Sequence, residues 1–153
     1  MAAGRVGGRR PVPGLDLLRR FGLRSAPPPA PAAGCTVTVC RGCCCGTPAK
    51  HPGADHAGQL ARLRAAVAGE GRLRQSGCLD LCERSNVVVV GPSATGRRNG
   101  GRTVWFVEVL DDRLVTAIAD WIRAGGPGVA VPPARLTEHL YVPSRRIRHA
   151  VGR

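Results

Sequence analysis

The sequence predicts an α/β protein, a small sheet with helices packed on it, and two kinds of segment carry that prediction. Short strand-like runs occur at residues 36–40, 86–90 and 103–110, rich in valine or alternating between apolar and polar residues. Two stretches, 55–68 and 111–124, place apolar residues at helical spacing. With a further short strand expected over Arg72–Ser76, the order is strand, helix, strand, strand, strand, helix, which suits helices layered on a sheet. The chain is 153 residues long, so one domain is expected.

Each element has a local reason. Thr36-Val37-Thr38-Val39 alternates polar and apolar residues and ends at Cys40, which predicts the first strand. The Gly/Pro-rich segment 41–55 then reads as loop. Asp55 can cap a helix reaching about Ala68, with Leu60, Leu63 and Val67 on one face and Arg62 on the other, closed by Gly69 and Gly71. A short second strand is expected over Arg72–Ser76. Four consecutive valines after Asn86 suit a strand buried on both faces. Residues 91–101 read as a polar loop with an Asn99-Gly100 turn. Thr103–Leu110 is the next strand, with Val104 and Phe106 on one face and Trp105 and Val107 on the other. Leu114, Ala117, Ile118, Trp121 and Ile122 mark a helix that starts at Asp111 or Asp112 and stops at Gly125-Gly126-Pro127. Residues after Val131 are expected to wrap the surface or stay mobile.

Composition narrows the function. Glycine (21) and proline (13) are abundant, and with only two Trp, two Phe and one Tyr the core must rest on Val, Leu and Ile. A small core of that kind often needs a metal or crosslink. Residues 1–33 hold six arginines, one aspartate and a Pro/Ala run, and read as a disordered basic tail. The net charge of +13 is almost all arginine, since Lys50 is the only lysine. It favours acidic partners. Nucleic acid is not an expected partner, because aromatic stacking platforms are missing. No apolar run is long enough to span a membrane or serve as a secretory signal, so a cytoplasmic location is expected. There the seven cysteines would be reduced, which points to metal or redox chemistry.

Six of those cysteines fall in two clusters: Cys40, Cys43, Cys44 and Cys45 after the first strand, and Cys78 and Cys82 before the valine strand. Loops at strand ends can converge on one edge of the domain. Four thiolates suit either zinc or an iron–sulfur cluster, and spacing leaves the two open. Cys35 stands apart and reads as a small buried hydrophobe. His51 and His56 read as solvated or capping residues, Arg97 and Arg98 as loop charges, and the tryptophans as core.

Val39-Cys40, then Gly77-Cys78-Leu79-Asp80-Leu81-Cys82 and Asn86-Val87-Val88-Val89-Val90, resemble the thioredoxin-like [2Fe-2S] ferredoxins. That family includes the thioredoxin-fold iron–sulfur subunit of respiratory NADH dehydrogenase. Trp105 and the helix ending at Gly125-Gly126 extend the likeness, which covers about residues 34–130 and leaves 131–153 as a Pro/Arg-rich extension. The resemblance implies a thioredoxin-like fold with a small mixed sheet. It also implies a [2Fe-2S] cluster on Cys40, Cys45, Cys78 and Cys82, and a non-catalytic one-electron carrier. For the ligand after Cys40, the Cys-x4-Cys pattern selects Cys45, with Cys44, Cys43 and His56 as alternates. Arg41, Lys50 and Arg84 lie near in sequence and could offset the cluster's negative charge, while Asp80 and Glu83 oppose them. The implied partners are redox proteins with acidic docking surfaces, and a homodimer is compatible with the reading.

Two other classes fit parts of the sequence. Cys40-Arg41-Gly42-Cys43 is a Cys-x-x-Cys motif after a strand, as in thiol–disulfide oxidoreductases. A structural zinc module binding nucleic acid would use the cysteines and the charge, but no known finger spacing is present.

Overall fold

The alternating Thr/Val run forms β1 (Thr36–Cys40), and the chain from there builds a mixed α/β structure. The computed structural model describes residues 34–42 and 44–149. The expected tail at 1–33 and Cys43 lie outside the described residues. α1 (His56–Ala66) crosses from β1 to β2 (Arg72–Ser76), which pairs with β1 in parallel from Thr36↔Arg72 to Cys40↔Ser76. β3 (Val88–Gly91) pairs antiparallel with β1, and β4 (Val104–Phe106) pairs antiparallel with β3. α3 (Asp112–Arg123) then packs against α1. The five-stranded sheet has the order β2-β1-β3-β4-β5, with β5 (Leu140–Tyr141) at its edge.

The valines explain the layering. Side chains alternate across a strand, so Val88 and Val90 face the helices while Val87 and Val89 face the opposite side. All four are at most 2% exposed. On the helix side they join Val37, Val39, Leu63, Phe106, Ile118 and Trp121. Phe106 and Trp121 meet edge to face at 5.7 Å, a contact that adds about 1 kcal/mol beyond burial. The other side gathers Cys40, Cys45, Leu79, Leu81, Trp105 and Val107 into a second core. Val104 and Phe106 fall on the helix side and Trp105 and Val107 on the other, as the alternation predicts. Both helix starts also follow the sequence: Asp55 accepts a hydrogen bond from Gly58 N–H and Asp111 accepts one from Arg113 N–H.

Three segments differ from expectation. The predicted loop 91–101 contains a short helix, α2 (Ala94–Arg98), capped by Ser93, whose hydroxyl accepts the Gly96 N–H at 3.0 Å. Gly96 reads as loop in the sequence, but its role is steric: a β-carbon there would collide with the Pro127 carbonyl. The predicted strand 103–110 is regular only to Phe106. Beyond it Glu108 turns into the left-handed region at φ 56°, and its carboxylate holds Arg84 through two 3.1 Å hydrogen bonds. The C-terminal residues are not merely a surface wrap. Leu136, on a 3₁₀ turn over Ala134–His139, is fully buried in the main core, and β5 pairs with β4 through Trp105↔Tyr141. Ile147, on α4 (Arg145–Arg148), packs on the second core.

Candidate metal centre

Cys40 ends β1 with its side chain on the sheet face away from α1 and α3, in the core that also holds Cys45. At Cys45 and Gly46 the chain makes a turn. Gly46, at φ 74°, makes this possible, because the Arg41 side chain occupies the space a β-carbon would need. The turn is pinned from below by Asn86, which is fully buried. Gly46 N–H donates to Asn86 Oδ1 at 2.8 Å, while Asn86 Nδ2 donates to His56 Nδ1 at 3.1 Å and to Gln59 Oε1 at 3.3 Å. Gln59, also buried, donates from Nε2 to the Leu110 carbonyl at 3.1 Å. One buried amide thereby ties the cysteine loop, α1 and the start of β3 together.

Cys40 and Cys45 form a hydrogen-bonded thiol pair. Cys45 is the more acidic, drawn down to about 6. The main cause is the hydrogen bond from the Cys40 thiol, assisted by Val87 N–H and the charges of Lys50 and Arg41 and opposed by burial. Cys40 is correspondingly pushed up, by donating to Cys45, by burial and by the neighbouring negative charge, with Leu79 N–H acting against these. The two thiols thus push each other's acidity in opposite directions, Cys45 down and Cys40 up. Arg41 lies over it, with Nη1 donating to the Cys40 carbonyl at 3.0 Å.

Cys78 and Cys82 form the second pair, with their sulfurs 3.8 Å apart. Within Cys78-Leu79-Asp80-Leu81-Cys82 the two leucines are buried and anchor the loop, leaving the thiols toward solvent. Asp80 sits at φ 59°, a strained conformation for a residue other than glycine, and its N–H donates to Cys78 Sγ at 3.3 Å. Lys50 donates from Nζ to the Cys82 carbonyl, joining the two cysteine loops. The pairs lie side by side: Leu79 N–H serves Cys40, and the charge of Cys78 is felt at Cys40. Backbone N–H groups thus point at Cys40, Cys45 and Cys78, the arrangement that stabilises thiolates and tunes a bound metal.

A metal–sulfur bond of about 2.3 Å in a tetrahedron sets neighbouring sulfurs about 3.8 Å apart. The Cys78–Cys82 separation matches that edge. Among the described residues no three or more His, Cys, Asp and Glu side chains come together as one metal-holding group. The thiols are drawn up as two pairs instead.

Two of the alternates, His56 and Cys44, lie among the described residues. Both ring nitrogens of His56 are engaged, Nδ1 by Asn86 and Nε2 by donation to the His51 carbonyl at 3.1 Å. Cys44 lies half-buried on the turn, its carbonyl accepting from Thr47 Oγ1 at 3.1 Å. Cys35 is buried in the helix-side core and donates to the Gly125 carbonyl at 3.5 Å. Arg84, expected to offset charge at the thiols, pairs with Glu108 instead, so Arg41 and Lys50 are left in that role. Sequence reasoning missed Asn86 and Gln59. Their signal was a polar residue directly before a buried valine strand and a glutamine on the apolar side of α1.

Among the described residues no helix is long and apolar enough to cross a membrane. No family model matches the chain, and neither the curated proteins nor the solved structures give a match.

Proposed function

We propose that this protein is a one-electron carrier of the thioredoxin-like [2Fe-2S] ferredoxin kind, with Cys40 and Cys45 holding one iron and Cys78 and Cys82 the other. The observation that carries the reading is the donor arrangement: two adjacent thiol pairs, one with its sulfurs at 3.8 Å, each suited to one tetrahedral metal ion. A mononuclear zinc site would ask four donors to meet at one point. The parallel β1–β2 pair joined through α1, followed by antiparallel β3 and β4 and then α3, supports a thioredoxin-like fold. When bound, the cluster supplies a single reversible electron. The chain's own residues lower the pKa of Cys45, place N–H groups near the sulfurs and set Arg41 and Lys50 beside the negative charge. Each of these favours ligand binding or raises the potential.

Cys40 and Cys45 are at most 2% exposed, which argues against disulfide exchange with a protein substrate, since the attacking thiolate must be reached. Cys78 is exposed, so the Cys78/Cys82 side is where a redox partner approaches. The test is the visible spectrum and the iron and sulfide content of anaerobically purified protein. A red-brown protein with equal iron and acid-labile sulfide, bleached by dithionite, is expected. A colourless protein holding one zinc and no iron after anaerobic reconstitution would overturn the proposal.

A further inference from the structure

The face of the sheet that carries Cys40 has a second feature at its other end. Thr36 opens β1, four residues before Cys40, so it lies about 13 Å along the strand from the thiols. A groove of ≈ 730 Å³ begins there, bounded by Gly91 at the end of β3, the loop before β4 and the segment after β5. Its floor is Trp105, and its walls include half-buried Tyr141 and buried Pro143. A side chain at Gly91 would run into the Thr36 hydroxyl, so the glycine keeps this end open.

Three guanidiniums, Arg97, Arg102 and Arg148, come to this one groove from three separate segments. Arg97 is fixed at the rim by donation from Nη1 to the Pro92 carbonyl at 2.8 Å. Arg102 and Arg148 enter no ion pair among the described residues, whereas Arg62, Arg84, Arg123 and Arg146 each have an acidic partner. The groove therefore joins uncompensated positive charge to an aromatic, apolar floor. Its volume falls within the range of small-molecule sites, about 300–1,000 Å³.

We infer that this groove binds a mononucleotide, with its phosphate on Arg97, Arg102 and Arg148 and its base against Tyr141 and the Trp105 floor. Arginine suits this role because its planar fork meets phosphate oxygens in pairs and its face stacks on rings. An acidic protein partner would also answer the charge. However, charge alone does not account for the aromatic floor, which suits a ring stacked beside the guanidiniums.

The inference does not depend on the thiol pairs, and its test can be run on the full chain with or without iron. Isothermal titration with AMP, adenosine, inorganic phosphate and polyglutamate is the measurement. AMP should bind saturably and more tightly than either adenosine or phosphate, because only AMP engages both parts of the groove. The exposed-site variant Arg102→Glu/Arg148→Glu should keep the wild-type circular dichroism and weaken AMP about tenfold or more, as expected for lost charge-assisted hydrogen bonds. Trp105 emission should change on AMP addition, and a Trp121→Phe variant assigns that change to the groove. Absence of AMP binding at millimolar concentration, equal affinity for adenosine, or AMP binding unchanged in the double variant would overturn it. Tight binding of polyglutamate without AMP would also overturn it and make the groove a protein dock.

Discussion

Cys45 shows how far a single side chain can be assigned. Sequence spacing leaves four candidates for the ligand after Cys40; of these, Cys44, Cys45 and His56 lie among the described residues, and Cys45 is the one proposed here. His56 has both ring nitrogens engaged, whereas the Cys45 thiol is drawn toward ionisation chiefly by Cys40. Cys45→Ser should therefore remove or strongly destabilise the cluster spectrum, as should Cys40→Ser, Cys78→Ser and Cys82→Ser, serine being a harder and poorer ligand for iron. His56→Ala should keep the spectrum, and a wild-type spectrum for Cys45→Ser would sink the assignment. Cys35 gives a contrasting, cluster-free prediction. Its thiol is pushed up chiefly by burial, against a Ser93 backbone hydrogen bond and the charge of Arg97. A raised pKa means that the unfolded chain ionises first. The stabilisation this thiol gives is complete below about pH 8.5 and declines as pH rises toward the folded value. In urea unfolding of iron-free protein, the wild type's advantage over Cys35→Ala should shrink above that pH. A difference that stays constant to high pH would contradict it.

At the scale of elements, the long periodic segments were legible and the short packed ones were not. α1, α3 and the valine strand announce themselves because burial on one or both faces imposes a repeat on many residues. α2 escapes because it is only five residues long and contains a glycine chosen for its contact with Pro127, which no periodicity records. β5 is two residues long, and Leu136 is a lone apolar side chain among Pro and Arg, so their burial depends on tertiary context. The candidate site divides in the same way: its cysteines stand out by type, while the amide network beneath them does not. That network yields a prediction. Asn86→Ala would leave the half-buried Gly46 N–H and His56 Nδ1 without their partner and Gln59 Oε1 with only the 3.5 Å bond from Arg41 Nη2, and each orphaned group costs about 1–3 kcal/mol. Partial relaxation should bring the loss of unfolding free energy to about 3 kcal/mol, with slower cluster reconstitution because the Cys40–Cys45 turn is no longer held. Asp111→Ala, removing only the α3 cap, should cost about 1 kcal/mol and leave reconstitution unchanged. Equal effects of the two substitutions on reconstitution would show that Asn86 acts as ordinary core and not as the anchor of the thiol turn.

Over the whole molecule, the balance between core and staple decides stability. The helix-side core is continuous, but the second core is small and is closed by the two cysteine loops themselves, through Cys40, Cys45, Leu79 and Leu81. Individual hydrogen bonds otherwise span these segments, among them Lys50 to the Cys82 carbonyl, His51 Nε2 with Ser85 Oγ at 2.9 Å and Gly46 N–H to Asn86 Oδ1 at 2.8 Å. The ion pairs among the described residues are all exposed, such as Arg62–Asp112 at 2.9 Å and Arg123–Asp120 at 2.7 Å, and pairs of this kind contribute about 0–1 kcal/mol each. A metal group held by both thiol pairs would therefore be the strongest link between the segments on that face, and its binding free energy would add directly to folding. Iron-loaded protein should melt well above the iron-free form. The added protection should be concentrated in amide exchange of residues 40–46 and 78–82, with α3 and β3 protected in both forms by the helix-side core. Lys50→Met should lower the iron-free melting temperature slightly and leave most of the iron-dependent increment, because the thiol pairs and not the lysine carry it. Coincident melting of the two forms, or protection gained mainly in α3, would mean that the second core closes on its own and that the cysteines are not its staple.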